Sequence, residues 1–431
     1  MIAHDLNVII VGGGFGGLRV AQGLGGTSVG VTLIDKRNFH LFQPLLYQVA
    51  TGALSPANVA TPLRSVMKRN RNVQVLLGEV TDIDLDRKQI LLDQEWFAYD
   101  ILVLATGATH QYFGHDDWRE AAPGLKTIEE ALDIRSRIFR AFEAAERESD
   151  PARIRALLNF VVVGGGPTGV ELAGALREIA NYTLRKEFRN INPVDAHVIL
   201  IEQGEHVLPM YVPKLSAKAE ALLKSLGVEV ITGAAVTGIA PDTVTAMRNG
   251  QEEIIQASTV IWTAGVKASP IGMLLAANGN ATLDRSGRIE VESDLSLPGH
   301  PGVYVIGDLA CCKSDSGRPL PCVAPVAIQQ GAHVVNEILA RLHNGPPTSF
   351  QYRDYGSMAT IGRAAAVVQL GRIRFSGYAA WLTWLFVHLM SLVRTENRFL
   401  VLLQWSWNYW TWNRSARIIT EPGEVAHTEK P

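Results

Sequence analysis

Two glycine clusters carry the clearest chemistry in the sequence. Gly12-x-Gly14-x-x-Gly17 follows the β-branched run Val8-Ile9-Ile10-Val11, and Gly164-x-Gly166-x-x-Gly169 follows Phe160-Val161-Val162-Val163. In such a cluster the first glycine permits a tight turn, the second lets backbone approach a pyrophosphate, and the third brings helix against strand. The phosphates then meet the positive end of the following helix. Each cluster also has a carboxylate at the end of the next strand: Asp35 after Val31-Thr32-Leu33-Ile34, and Glu202, at a greater remove, after Val198-Ile199-Leu200-Ile201. A carboxylate there accepts both ribose hydroxyls, and at Glu202 it repels the extra phosphate of NADPH, which favours NADH. A chain with two such sites holds a flavin in one and a nicotinamide in the other, so that hydride passes between stacked rings. FAD is expected on the first copy and NADH on the second.

Each cluster reads as strand, turn and helix, the opening of a βαβ unit. Its recurrence, in a chain of 431 residues that exceeds the roughly 250–300 residues one core serves, implies separate domains. The expected fold class is α/β, with two Rossmann-like dinucleotide-binding domains and a C-terminal membrane-associating helical region. A charged helical linker is expected from Pro123 to Asp150, with a boundary at Pro151. The polar segment Asn181 to His197 is expected to lengthen the helix after the second cluster. Ile101-Leu102-Val103-Leu104, Val260-Ile261-Trp262 and Val303-Tyr304-Val305-Ile306 read as further strands, with ligands at their carboxyl ends.

The composition, 47% hydrophobic and 19% charged with a formal net charge of -2, is that of an ordinary globular protein and gives no sign of a nucleic-acid partner. Cys311, Cys312 and Cys322 lie in one short stretch; they make neither a disulfide framework nor a tetrahedral metal set, and read as buried small residues in a reducing compartment. The first strand begins without a basic region or long apolar run before it, which argues against export. Beyond Phe350 the character changes. Six of the nine tryptophans, Trp381, Trp384, Trp405, Trp407, Trp410 and Trp412, fall there. The stretch from Ser376 to Val393 has no formal charge but is near the lower length limit for a span, and with Arg372, Arg374, Arg394 and Arg398 around it suits a helix lying at the headgroup boundary. The four later tryptophans, with Arg414 and Arg417, make a second amphiphilic element. The same aromatic stripes would also serve a core or a dimer interface.

Two more segments, Ala105-Thr106-Gly107-Ala108 and Gly307-Asp308-Leu309-Ala310, resemble hallmarks of the two-dinucleotide-binding-domain flavoproteins. With Phe39-His40-Leu41-Phe42-Gln43-Pro44-Leu45-Leu46-Tyr47-Gln48-Val49-Ala50, Ile261-Trp262-Thr263-Ala264-Gly265-Val266 and Ala327-Ile328-Gln329-Gln330-Gly331, the resemblance narrows to type II NADH:quinone oxidoreductases. It runs from the first strand to about Ile419. The Cys-x4-Cys of the superfamily's disulfide reductases, expected near residues 40 to 50, is missing, as are the paired cysteines of sulfide:quinone oxidoreductases.

The resemblance implies that FAD lies along Gly12, Gly14, Phe15, Gly16, Gly17, Asp35, Lys36, Ala105, Thr106, Gly107, Gly307, Asp308 and Ala327, with Asp308 on the ribityl and phosphate chain. It implies NADH against Gly164, Gly166, Pro167, Thr168, Gly169, Glu171, Glu202, Ala264 and Gly265. Glu171, expected in the first helical turn with its charge stabilised by the helix end, would tune hydride transfer or proton delivery. Quinone would enter through the tail near Pro44, Leu45, Tyr47, Pro325 and Gln329, with Gln329 also implied as a catalytic residue; Pro325 stands where the family has a glutamine, and starts a helix expected to run through Leu342. The implied division is 1–115 and 286–349 for FAD, 116–285 for NADH, and 350–431 for the membrane. The implied protein is a non-pumping NADH:quinone oxidoreductase, homodimeric and peripheral on the cytoplasmic face of the membrane. Rival readings are a reductase of a soluble electron carrier, which would need a charged docking patch and no tryptophan tail, and a slow redox-sensing binding protein resembling apoptosis-inducing factor.

Overall fold

The computed structural model describes residues 6–314 and 317–419. The chain forms two units, each assembled from three stretches. The first takes residues up to Leu41, Ala60–Thr109 and Val266–Tyr355; the second takes Phe42–Val59, His110–Gly265 and the described residues from Gly356 onward.

The first unit is built on a six-stranded sheet in the order Ser296–Leu297, His300–Val305, Ile101–Leu104, Asn7–Val11, Gly30–Asp35, Val73–Leu77. All its pairings are parallel except that of the two-residue edge strand. Val8, Ile10, Leu33, Leu102, Val103 and Leu104 are wholly inaccessible, because a parallel sheet is covered on both faces and so demands unbroken apolar runs. An antiparallel meander, Val80–Asp84, Gln89–Leu92 and Glu95–Ala98, packs Ile83, Ile90 and Leu92 into the same core. The helix Phe15–Gly23 follows the first strand and packs on the helix Ala324–Leu342. Gly331 makes that approach close: a Cβ there would stand 2.6 Å from the Gly16 carbonyl oxygen.

The second unit repeats the plan with a four-stranded parallel sheet in the order Val228–Thr232, His197–Glu202, Asn159–Val163, Thr259–Trp262. Its meander is Ala234–Ala240, Thr243–Arg248 and Gln251–Gln256. The linker is helical as the sequence implies. Ile128–Arg147 begins with a capping box in which Thr127 accepts from the Glu130 amide and Glu130 answers to the Thr127 amide, and Asp150 caps the next helix, Pro151–Leu158. The expected lengthening after the second cluster covers only Asn181 to Thr183 of the polar segment. Pro167–Glu178 ends in one π-helical turn, Ile179–Thr183, and the polar residues beyond it form turns up to the strand at His197.

The tail also departs from an all-helical expectation. It opens as an antiparallel sheet, Ser357–Gly362, Ala365–Leu370 and Ile373–Gly377, before the helices Tyr378–Ser391 and Thr395–Thr411. Gly174 of the helix Pro167–Glu178 gives that sheet its seat: without a side chain there, the Ile361 backbone settles directly on the helix. The two tail helices bury Ala380, Trp384, Asn397 and Val401, and leave Phe386, Met390, Phe399, Leu403, Trp407 and Trp410 exposed. Among the described residues, no helix is long and apolar enough to cross a membrane.

Candidate active site

The first glycine cluster forms a cradle. Gly12, at φ +106°, makes a turn no other residue adopts easily, and its amide donates to the Ile34 carbonyl at 2.7 Å. A Cβ on Gly12 would strike the Ala105 carbonyl, and one on Gly17 would strike the Gly12 carbonyl. Around Gly14 there is open space. Gly14 is also the N-cap of the helix Phe15–Gly23 and provides no side-chain cap, so the positive end of that helix faces the open space where an anion would lie. The Asp35 carboxylate closes the cradle, taking the Gly13 amide on Oδ2 at 2.6 Å and the Arg37 amide on Oδ1 at 2.7 Å. Its remaining lone pairs can still accept hydroxyls.

The other FAD candidates gather in this unit. Thr106 Oγ1 is hydrogen-bonded to Ser269 Oγ, and Gly107 turns at φ +71° into open space. Asp308 is half-buried in a single turn, Gly307–Leu309. Ala327 is buried on the helix Ala324–Leu342, its carbonyl close to Gly16. Lys36 pairs with Glu79 at the surface. Two residues here escaped the sequence reading. The imidazole of His40 is buried, 3.0 Å from the Gly13 carbonyl through Nδ1 and edge-on to Phe15; burial lowers its pKa, so the ring is neutral and donates to Gly13. Gln330, 1% exposed, accepts the Gly307 amide at 2.7 Å and so fixes the turn that carries Asp308. Its neighbour Gln329 instead spends its amide on the Arg353 backbone, donating at 2.9 Å and accepting at 3.0 Å. Pro325 starts its helix, which runs through Leu342 as expected.

The second cluster reproduces the first almost atom for atom. Gly164 turns at φ +108° and donates to the Ile201 carbonyl at 2.8 Å. A Cβ on Gly164 would meet Ala264, one on Gly169 would strike the Gly164 carbonyl, and Gly166 again faces open space at an uncapped helix start, with Pro167 and Thr168 exposed. Glu202 accepts the Gly165 amide at 2.6 Å and the Gly204 amide at 2.7 Å. Gly265 turns at φ +71° beside Ala264, while Thr263 Oγ1 donates to the Val163 carbonyl at 2.8 Å. The residues of both cradles therefore fit a dinucleotide: open where phosphate would lie, closed where helix must meet strand.

Glu171 corrects an expectation. It is the fifth residue of the helix Pro167–Glu178 rather than part of its first turn, and its side chain is buried. Burial pushes its carboxyl up to about 8, against the opposing pull of the Thr360 amide at 3.3 Å and the Trp384 indole. At neutral pH the carboxylic acid form is therefore favoured.

Glu171 lines a cavity of about 760 Å³, counting its open mouth, within the second unit. Tyr47, Gln48, Trp381, Trp384, Trp405 and Tyr409 form much of its wall. At one end Arg414 is buried and pairs with Glu178 at 3.0 Å, while Arg363 is sandwiched by Tyr409 and Trp412, its guanidinium 3.9 and 4.1 Å from the ring centres. Burial pushes Glu178 up, opposed by both arginines. Tyr47 is held well above its usual range by burial and then by Glu171. Of the other residues that the resemblance implies for a quinone pocket, Leu45 is wholly inside the core and Pro44 sits in the short turn Gln43–Leu45, neither lining this cavity; Pro325 and Gln329 belong to the first unit.

Residues 6–331 match the model of the pyridine nucleotide-disulphide oxidoreductase family. The type II NADH:quinone oxidoreductase Ndh of Mycobacterium tuberculosis is 44% identical over 429 residues, covering 98% of this chain and 92% of its own. NdhA of the same organism, a second type II NADH:quinone oxidoreductase, is 44% identical over 424 residues, 96% of this chain and 89% of its own. Among solved structures, NDH2 from Plasmodium falciparum in complex with NADH shares the fold with a TM-score of 0.88 at 20% identity, over 97% of this chain and all of that one. Twin cradles in a chain this similar to those enzymes lead to one assignment: it belongs to the pyridine nucleotide-disulphide oxidoreductase family and, within it, to the type II NADH:quinone oxidoreductases.

Proposed function

We propose that the protein oxidises NADH and reduces a quinone by two electrons, with non-covalently bound FAD between them and without pumping protons. The duplicated cradle carries this reading, because a dehydrogenase that must hold two dinucleotides at once needs two, and here both are built alike around Asp35 and Glu202. FAD, when bound, supplies the two-electron chemistry. In this reading the first unit takes FAD and the second takes NADH, with Gly164, Gly166 and Gly169 on its pyrophosphate and Glu202 on its ribose. Asp308, positioned by Gln330, holds the flavin's ribityl and phosphate chain. The protein needs no nucleophile of its own; its contribution is mainly positioning. NADH oxidation followed anaerobically, with and without a soluble short-chain quinone, tests the reading: oxidation that depends on quinone supports it, and oxidation that runs only with a soluble protein carrier sinks it.

The same reading extends to the membrane. The exposed Phe386, Phe399, Trp407 and Trp410, with basic residues around them, support a peripheral attachment to the cytoplasmic face, and the same apolar surface could pair two copies of the chain. The protein should sediment with anionic lipid vesicles, and replacing Phe386 and Trp410 by serine should weaken that binding on the order of 100-fold, at about 1.5 kcal/mol for each buried side chain. Unchanged sedimentation would remove the tail from the account.

A further inference from the structure

The cavity wall contains a hydrogen-bond chain whose direction is fixed at one end. The Trp405 indole can only donate, and its Nε1 lies 2.7 Å from Gln48 Oε1. The Gln48 amide is thereby held with its carbonyl toward Trp405 and its NH₂ toward Tyr47, whose hydroxyl oxygen accepts at 3.0 Å. Tyr47 has thus received a proton contact and must direct its own proton elsewhere. Among the described residues no acceptor for it is found, and the ring lines the cavity with Glu171.

The reaction has a use for that proton. NADH yields two electrons and one proton as hydride, whereas a quinone takes two electrons and two protons to become a quinol, so one proton per turnover must come from another source. We infer that the Tyr47 hydroxyl delivers this proton to the quinone oxygen, with Gln48 and Trp405 as the residues that aim it. This rests on the quinone reading above and deepens it. The Tyr47 O–H bond breaks as the O–H bond on the quinone forms, with the electron pair originating from NADH. The carboxyl proton of Glu171 then returns to the tyrosine oxygen, and solvent reprotonates Glu171. That Glu171 is mainly protonated at neutral pH suits it to the second step.

The test compares Y47F and W405F with wild-type holoenzyme. Bleaching of the flavin absorbance by NADH alone is the control for fold and cofactor. Quinone turnover at saturating quinone is then measured in H₂O and in D₂O. Y47F should bleach normally, turn over quinone about 100-fold more slowly, and lose the solvent isotope effect with little change in quinone KM. W405F, which frees the Gln48 amide to flip and accept the Tyr47 proton, should lose about fivefold to tenfold in kcat and keep the isotope effect. Wild-type kcat and isotope effect in Y47F, or a rise in KM alone, would overturn the proposal. Normal bleaching with no quinone turnover in the wild type would overturn the quinone reading itself, and is distinguishable because it appears before any substitution.

Discussion

Replacing Glu171 by glutamine keeps the shape of the side chain and removes its titration, and the stability of the two proteins should diverge with pH in a calculable way. Burial raises the Glu171 carboxyl from 4.5 to about 8. Since the folded value exceeds the unfolded one, the native state binds more protons between those limits. The associated stability is fully present below the unfolded value and is lost as pH climbs toward and through 8. Inside the window the slope approaches 1.4 kcal/mol per pH unit, which amounts to about 2.5 kcal/mol between pH 5 and pH 7. Urea unfolding of wild type and E171Q at pH 5, 6 and 7 measures it directly. The difference between them should shift by about that amount in favour of E171Q as pH rises. Other titrating groups, Glu178 included, are common to both proteins and cancel to first order. Parallel curves would mean that Glu171 is ionised in the folded protein, and the account of it as a proton carrier would fail.

Other consequences can be checked singly. Glu202→Ala should raise the Kd for NADH by roughly 5- to 150-fold, from about 1–3 kcal/mol of lost hydrogen bonding, while flavin content stays unchanged; equal loss of both would reverse the assignment of the two cradles. Gly17→Ala should give flavin-free or insoluble protein, because its Cβ strikes the Gly12 carbonyl, whereas Gly14→Ala should fold and bind FAD more weakly, since open space surrounds it; flavin per chain distinguishes them. Arg414→Met strands Glu178 in the interior and should cost about 3–5 kcal/mol, read as a lowered urea midpoint.

What the sequence disclosed and what it withheld follow from the range of the interactions. The clusters at Gly12 and Gly164, their strands and their terminal carboxylates are local patterns in which each residue type is dictated by a turn, a close approach or a burial requirement. They could be read without neighbours, and both cradles stand where the pattern implied. The cavity could not be read so. Gln48 meets Trp405, Glu178 meets Arg414 and Glu171 meets Thr360 across 357, 236 and 189 residues, and nothing in any one segment announces its partner. The tail sheet was hidden for the same reason, because its seat is a glycine on a helix far earlier in the chain. Gln330 was missed beside Gln329 because adjacent glutamines on a helix differ only in which face is buried. Glu171 lies in the second turn of its helix and not the first, and its charge was hidden because its ionisation depends on burial in a cavity walled by residues distant in the chain.

In this protein one chain takes electrons from NADH and gives them to quinone. An anaerobic titration of the purified holoprotein, followed by its flavin absorbance, tests it most directly. An equimolar amount of NADH should bleach the flavin, and an equimolar amount of short-chain quinone added next should restore it. Failure of NADH to bleach, or bleaching that quinone leaves unrelieved, would contradict the account.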